Sequence, residues 1–401
     1  MRWLALFLLL LGCDGPIVLP ADASLDAGRD AGVNAWRDAG RDGGLADAGL
    51  DAGPDGGRVD GGRVDGGPVD GGPPVALRVL ALNLHCLETS ATPYPSNPAR
   101  LEAVARFVAA EAVDVLALQE VCVSEAEDAL ALLTAALERE TGIAWSASSA
   151  FAHLAWEGTA REARESLAVL AREPIVATHA LEHRAQGALW RVTLFATLAR
   201  GVTVATVHLD HRDAIAREEQ GRELAAAGLV HADSLDVILA GDFNARAPAL
   251  AHVRALGYVD ASATLRTDRI DHVYVHRGAR FAPSRARMVL NTPSDRVSDH
   301  PGILVDLAER APEPVAVTRI VARVDVGFGS HLFLRGDQPP LSWERGWPMT
   351  NVAAREWRFV LTELTAPLAF KTLVDDARWQ QGENSRVEPG ATLVLDPVHA
   401  P

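Results

Sequence analysis

The sequence predicts a mixed α/β domain followed by a small all-β module. Three observations lead there. From residue 75 onward, strand-like apolar runs alternate with stretches of helical spacing. A proline-bearing break, Ala311-Pro312-Glu313-Pro314, interrupts that pattern. Beyond it, apolar and polar residues alternate between turn signals such as Arg335-Gly336-Asp337 and Pro389-Gly390, the habit of a β-sandwich.

The elements follow in chain order. Met1-Arg2, an apolar run over residues 3–11 and then Gly12-Cys13 have the order of a secretory signal. Leu10-Leu11-Gly12-Cys13 resembles the bacterial lipobox. That resemblance implies cleavage before Cys13, its lipidation, and export to the bacterial cell envelope on a lipid anchor. Residues 13–75 are low-complexity, built of Asp-Ala-Gly and then Val-Asp-Gly-Gly units. With almost nothing apolar to bury they predict a disordered tether. As a flexible coil it would span on the order of 45 Å root-mean-square.

Buried-strand runs are expected over residues 77–84, 113–121, 166–171, 189–199, 202–209, 237–240, 269–276 and 302–307. Helices are expected over residues 100–112, 125–139, 214–227 and 248–256. The two regions predicted to fold are residues 76–310 and 315–401.

Composition sets outer limits. At 401 residues the chain is too long for one ordinary core. A hydrophobic share of 48% excludes disorder along its whole length. The net charge is −15, and residues 14–75 hold 12 Asp, 5 Arg and no Glu. Such a balance lacks the basic footprint of a tight duplex binder, although a bound cation and local arginines can still serve a nuclease. The scattered Arg161, Arg164, Arg184, Arg191 and Arg212 read as solvated surface. Three cysteines, Cys13, Cys86 and Cys122, exclude a Cys-rich zinc site. Cys86 and Cys122 form either a disulfide of an exported protein or two buried thiols.

Chemistry gathers at strand ends, where open α/β sheets build their sites. Asn83-Leu84-His85, Gln119-Glu120, His208-Leu209-Asp210-His211, Asp242-Phe243-Asn244 and Ser298-Asp299-His300 all follow or flank apolar runs, and Arg269-Ile270-Asp271 precedes one. Any one of these is bland, since a lone histidine is more often a satisfied core residue. Together they supply oxygen ligands and imidazoles without a cysteine cluster, which suits a hard cation such as Mg²⁺ or Mn²⁺. Phosphoester hydrolysis calls for such a cation, a positioned water and neutralisation of developing charge.

In these motifs and their order, residues 76–310 resemble the endonuclease/exonuclease/phosphatase superfamily. The resemblance implies a four-layer α/β sandwich, two packed mixed β-sheets flanked by helices. It implies Glu120 as the principal metal carboxylate, with Asn83 beside it. Asp242 matches the acid that orients the water or leaving group, and Asn244 a phosphate-binding amide. His300 matches the histidine at the scissile phosphate, with Asp271 as its orienting partner and Asp299 beside the metal or water. His208 matches a second histidine that donates to the phosphate or leaving oxygen, and Glu165 the carboxylate paired with it.

Residues 315–401 resemble starch-binding β-sandwich modules. Trp343 and Trp379 match the two stacking indoles, and Lys371, the chain's only lysine, the residue between them. The competing expectation is that both indoles are core.

The function expected is that of an exported, monomeric, Mg²⁺- or Mn²⁺-dependent phosphoesterase. A glycan module beside the catalytic region tilts its substrate toward small or sugar-linked phosphoesters. The alternatives are an extracellular nuclease acting on DNA or RNA and a non-catalytic glycan-binding surface protein.

Overall fold

The computed structural model describes residues 74–400 except Asp233, Pro312 and Glu313. The segments expected to be a signal peptide and a tether, and Cys13 with its expected lipidation, lie outside the described residues. No described helix is long and apolar enough to cross a membrane.

The larger, N-terminal part of the described chain supplies twelve strands: β1 (Val75–Asn83), β2 (Val115–Val123), β3 (Ser146–Ala155), β4 (Ala163–Ala171), β5 (Ile175–Glu182), β6 (Val192–Leu198), β7 (Thr203–His208), β8 (Val237–Asp242), β9 (Tyr258–Asp260), β10 (Asp271–His276), β11 (Phe281–Val289) and β12 (Gly302–Glu309). They form two six-stranded mixed sheets, ordered β11-β12-β1-β2-β4-β3 and β5-β6-β7-β8-β10-β9. Apolar alternation assigns each strand face. Val79 and Ala81 of β1 meet Ile238 and Val273 of the other sheet, while Leu80 and Leu82 turn to the helices. Strands buried on both faces read as unbroken apolar runs, which is why the central ones were visible in the sequence.

Helices α1 (Asn97–Ala110) and α2 (Ala129–Thr141) cover the first sheet. Helices α3 (Ala214–His231) and α4 (Ala251–Ala255) cover the second. The sequence carries their punctuation. Asp128 and Asp213 cap α2 and α3 through their side chains. Gly142 ends α2 at φ 72°, a left-handed conformation that glycine adopts without penalty. The result is the four-layer sandwich expected. The exposed strand β5 and the edge strands β3, β9 and β11 escaped the sequence reading, because they lack a continuous apolar run.

The C-terminal region forms two further sheets. One comprises β13 (Thr318–Arg323), β16 (Thr350–Ala353), β17 (Glu356–Leu361) and β21 (Thr392–Leu395). The other comprises β14 (Leu332–Gly336), β15 (Trp347–Pro348), β18 (Leu368–Val374), β19 (Arg378–Trp379) and β20 (Ser385–Val387).

These sheets do not stand apart from the catalytic region. Their apolar residues Ile320, Trp347 and Phe359 belong to the same buried cluster as Leu224, Ala227 and Leu229 of α3. Arg222 of α3 is buried, donates to Gly346 O at 2.7 Å and lies 4.1 Å from the Trp347 ring. A guanidinium taken out of water needs such partners. The described residues form one compact unit.

Several buried histidines make this fold acid-sensitive. Burial pushes His231, His252 and His276 down to about 4. His276 faces Thr362 of the C-terminal region at 3.3 Å. Unfolded histidine titrates near 6.5, so below that pH the unfolded chain binds more protons than the folded one. The stability these three histidines contribute is therefore full above about 6.5 and lost as pH falls toward about 4, opposed in part by Glu120 and Asp242, whose raised carboxyls are relieved on protonation. Thermal melts across that window should show a falling midpoint, and a flat profile would contradict the burial argument.

Candidate active site

Register explains which side chains meet. In the second sheet β7 and β8 run parallel, and β10 returns antiparallel beside them. Asp242 ends β8, where it pairs with His208 of β7 on one side and Asp271 of β10 on the other. Three candidate side chains thus lie in one row. In the first sheet Asn83 ends β1 opposite Gln119 of β2, and Glu165 of β4 stands opposite Cys122.

Two backbone features aim the carboxylates. The β2–β4 ladder slips between Leu118 and Val121, and inside that bulge Glu120 takes a φ of 52°. A bulge turns a side chain away from the strict alternation of the strand. Asn244 sits at φ 49°, a region asparagine tolerates, and its N–H donates to Asp242 Oδ1 at 2.8 Å.

Close approach of the sheets fixes the floor. Gly241 has φ 139°, and an added Cβ would meet Val207 O at 2.3 Å and Gln119 Nε2 at 2.6 Å. No other residue fits there. Gln119 itself is fully buried and donates to Thr206 Oγ1 at 2.8 Å across the two sheets.

Above that floor, Asn83 Nδ2 donates to Glu120 Oε1 at 2.8 Å and reaches Asp242 Oδ2 at 3.4 Å. Asp242 Oδ2 lies 3.7 Å from His208 Nε2 and 3.9 Å from His300 Nε2. His300 Nδ1 is 3.0 Å from Asp271 Oδ2, a hydrogen bond that fixes the ring. His208 Nδ1 is 3.7 Å from Glu165 Oε1, which is contact without a hydrogen bond. Asn244 Nδ2 donates to Leu209 O at 3.0 Å. Asp299 stands at the rim, where its partners are Ser298 Oγ at 3.1 Å and His85 Nδ1 at 3.4 Å.

Eight of the nine predicted residues are thereby joined in one network, and Asp299 attaches through His85 and His300. Glu120, Glu165, His208, Asp242, Asn244 and His300 line a cleft of about 580 Å³.

The electrostatics follow from crowding. Burial, then the Glu165 charge, push the Glu120 carboxyl up to about 7. Burial and the Asp271 charge push Asp242 up to about 7. Burial acts to lower His300, but the hydrogen bond and charge of Asp271 outweigh it and hold the imidazole up at about 10. His208 is driven well below its ordinary value by burial and by Arg191, so it is neutral.

The sequence reading missed several residues here. His85, His153, Arg191, His211 and Arg212 also line the cleft. Arg191 is buried, 3.8 Å from Glu165 Oε1 and 3.3 Å from His211 Nδ1, and Arg212 joins it at the wall. The expectation of solvated surface therefore fails for Arg191, whereas Arg212 is exposed at the cleft's rim. Arg161, Arg164 and Arg184 are occupied elsewhere, against Trp156, Phe151 and Glu219. Arg100 of α1 is fully buried and donates to Cys86 O at 2.6 Å and Val297 O at 3.1 Å, tying two site loops to one helix. Nothing in a lone helical arginine signals that use. Cys86 and Cys122 form a disulfide, which settles the alternative left open by the sequence.

In the C-terminal region Trp343 and Trp379 stack with ring centroids 6.3 Å apart and planes inclined by 30°. Trp343 is half-buried and Trp379 is 37% exposed, whereas Trp347 and Trp357 are core. Lys371 Nζ donates to Gln380 O at 2.9 Å and Gly382 O at 2.6 Å. It therefore braces the segment after Trp379 and has little left for a ligand.

A fold of two packed mixed sheets with carboxylates, amides and imidazoles at one edge defines a phosphoesterase-type site. The profile of the endonuclease/exonuclease/phosphatase family matches residues 80–300, and the chain belongs to that family. Its members are hydrolases of phosphate esters that work with a divalent metal. No curated protein matches the chain significantly.

Among solved structures, the chain is similar to an endonuclease/exonuclease/phosphatase family protein from Leptotrichia buccalis at 18% identity. That match covers 58% of this chain and 99% of the other, with a TM-score of 0.47. The catalytic domain of human Nocturnin with bound sulfate is similar at 18% identity, covering 58% and 94%, TM-score 0.45. A mannosyl-6-phosphatase from Bacteroides thetaiotaomicron is similar at 18% identity, covering 58% and 100%, TM-score 0.43.

Proposed function

We propose that this protein hydrolyses a small or sugar-linked phosphate ester by direct attack of water, with Mg²⁺ or Mn²⁺ as cofactor. The observation that carries the reading is the meeting of the Glu120–Asn83 pair and the His300–Asp271 pair on Asp242. The cleft's apolar wall of Leu154, Trp156 and Leu189 supports a compact organic substrate.

The donor set fits a hard cation. Glu120 is a half-buried carboxylate whose pKa burial and then the Glu165 charge raise, so a cation beside it would be favoured. Asn83 Oδ1 accepts from His85 N at 2.9 Å and keeps a second lone pair. Asp242, Asp271 and His300 also bring ligand atoms within 4.8 Å of one another. An imidazole held protonated by Asp271 is a poor ligand, however, so Glu120 and Asn83 would hold the cation. Asp299 would stand beside them. When bound, the cation withdraws negative charge from the phosphate.

The chain's own residues do the rest. His300, cationic through Asp271, would place an N–H at the phosphate. Asp242 lies between two imidazoles with a pKa near neutrality, which suits a base that takes a proton from water. The water oxygen forms the new P–O bond, the ester P–O bond breaks, Asp242 holds the proton taken from the water, and the leaving oxygen takes its proton from solvent. His208, backed by Glu165, would take up a proton beside the charge of the bound phosphate and donate Nε2–H to the phosphate or leaving oxygen, and Asn244 would hold the phosphate.

The test is phosphate release from a panel of sugar phosphates, with plasmid DNA and sphingomyelin alongside, in the presence and absence of Mg²⁺. Release from sugar phosphates alone supports the reading. Cleavage of DNA alone would establish the nuclease alternative, and silence on every substrate the non-catalytic one.

We further propose that the exposed Trp343–Trp379 pair receives α-glucan, since indole faces cover the apolar C–H faces of sugar rings. Affinity should be weak, about micromolar to millimolar, as for other shallow platforms. Trp379→Ala should abolish the starch-induced shift in an affinity gel and leave the melting temperature nearly unchanged. A wild-type chain that ignores starch would sink the glycan reading.

We propose export and lipid anchoring at Cys13. The disulfide supports export, because such bonds persist in oxidising compartments. Cys13→Ser should move the protein from the membrane fraction to the soluble one or leave its signal uncleaved. A soluble wild-type protein with an unmodified N-terminus would end this reading.

A further inference from the structure

We propose that the Cys86–Cys122 disulfide is a positioning clip for Asn83 and Glu120, so that metal affinity, and not stability alone, depends on its oxidation. The proposal rests on the reading that Glu120 and Asn83 hold the cation.

Connectivity comes first. The bond joins the residue three after Asn83 to the residue two after Glu120. Both cysteines are buried, at 2% and 0% exposure, packed with Ala163 beneath Ala155 and Trp156. At the other end of the same short frame, Asn83 Nδ2 donates to Glu120 Oε1 at 2.8 Å, and Leu84 N donates to Gln119 O at 2.9 Å. The two segments are thus tied on both sides of the metal-binding pair, by the parallel β1–β2 ladder before it and by sulfur after it.

The backbone supplies the second argument. His85, Cys86 and Glu120 have φ of 50°, 48° and 52°. Side chains other than glycine rarely occupy that region, and they persist there only where the surroundings over-determine them. His85 N–H donates to Asn83 Oδ1 at 2.9 Å, fixing which way the amide oxygen points. The left-handed Glu120 sits in the β2 bulge and points its carboxylate toward Asn83. Three strained residues flank one covalent link, and two of them set the two side chains that the cation needs.

Arg100 also holds this loop, through Cys86 O and the Val297 carbonyl. That grip ties the loop to α1 and does not reach the Glu120 bulge. The disulfide is the covalent link from the Asn83 loop to the strand that carries Glu120. Cys122 also faces Glu165 across the ladder, so relaxation of β2 would reach the carboxylate behind His208.

The competing account is a stability staple that restricts the unfolded chain and leaves the cation site alone. The two accounts separate in a metal titration read without turnover. Three forms of the full chain are compared: the oxidised protein, its dithiol form, and the double variant Cys86→Ala with Cys122→Ala. In making the dithiol form, a dithiol reductant supplies two electrons. The S–S bond becomes two cysteine thiols and the reductant's own thiols close to a disulfide. Mn²⁺ binding is followed by calorimetry and by the metal-induced rise in melting temperature.

We expect the Mn²⁺ midpoint to weaken by about tenfold or more in the dithiol and the double variant, the range seen when supports behind a metal ligand are removed. An unchanged midpoint together with a lower melting temperature would overturn the clip in favour of a staple. Outright unfolding of both altered forms at ambient temperature would also overturn it, since the bond would then act on the fold as a whole. Failure of the oxidised chain to bind Mn²⁺ would overturn the cation reading, and the clip with it.

Discussion

Asp271→Asn should cut turnover by roughly 10²–10⁴-fold while the metal midpoint stays where it is. The carboxylate touches His300 Nδ1 at 3.0 Å and stands behind the ring, away from Glu120 and Asn83. Its charge is what lifts the imidazole to about 10 against the opposing effect of burial. With asparagine in its place the ring loses its proton at neutral pH and can settle in the wrong tautomer. The alkaline limb of the pH–rate profile should therefore move to lower pH, a shift that a purely structural defect would not produce. His300→Ala should cost as much, and the double variant hardly more, as for residues acting as one unit. Additive losses in that cycle would count against the dyad.

Glu120→Ala should abolish turnover at ordinary metal concentrations. Removal of an outer partner commonly costs about 10–100-fold in metal affinity, and loss of a carboxylate ligand should exceed that. The fold should not suffer. Glu120 is crowded by Glu165 and Asp299 and its carboxyl is held up at about 7 by burial and by that repulsion. At pH 8, without metal, the wild-type chain carries that strained charge and the variant does not. The melting temperature of the metal-free variant should equal or exceed that of wild type, and added Mg²⁺ should raise only the wild-type value. Full activity in excess chelator, or a variant that still responds to Mg²⁺, would remove Glu120 from its assigned place.

The central strands and the capped helices were legible because their signals are local. A strand buried on both faces must be largely apolar, as β1, β8 and β12 are apart from Arg78, Asn83, Asp242, Asp306 and Glu309. The helices were legible from their spacing, although the expected start at 125 overran the Asp128 cap, which places α2 at Ala129. Strands β3, β5, β9 and β11 carry no such mark, since half or more of their side chains meet solvent or a neighbouring loop. The candidate residues were legible only jointly. Asp242, Asp271 and His208 are unremarkable acids and imidazoles until the order of motifs joins them.

The sequence by itself determined the residue types at the strand ends, the α/β alternation and the family to which the chain belongs, because strand ends, caps and motif order are written over a few adjacent positions. Only the tertiary structure decided which of those residues touch. The parallel register of β7 and β8 and the antiparallel return of β10 set His208, Asp242 and Asp271 in one row. The β2 bulge turned Glu120 toward Asn83. Cys86 found Cys122, and Arg191 was carried from apparent surface into the cleft wall. The C-terminal sheets fused with α3 into one core across a boundary that composition marks as a break. Each of these depends on chain segments tens to hundreds of residues apart, and their pairing follows from burial and hydrogen-bond satisfaction over the whole molecule, which no local pattern records.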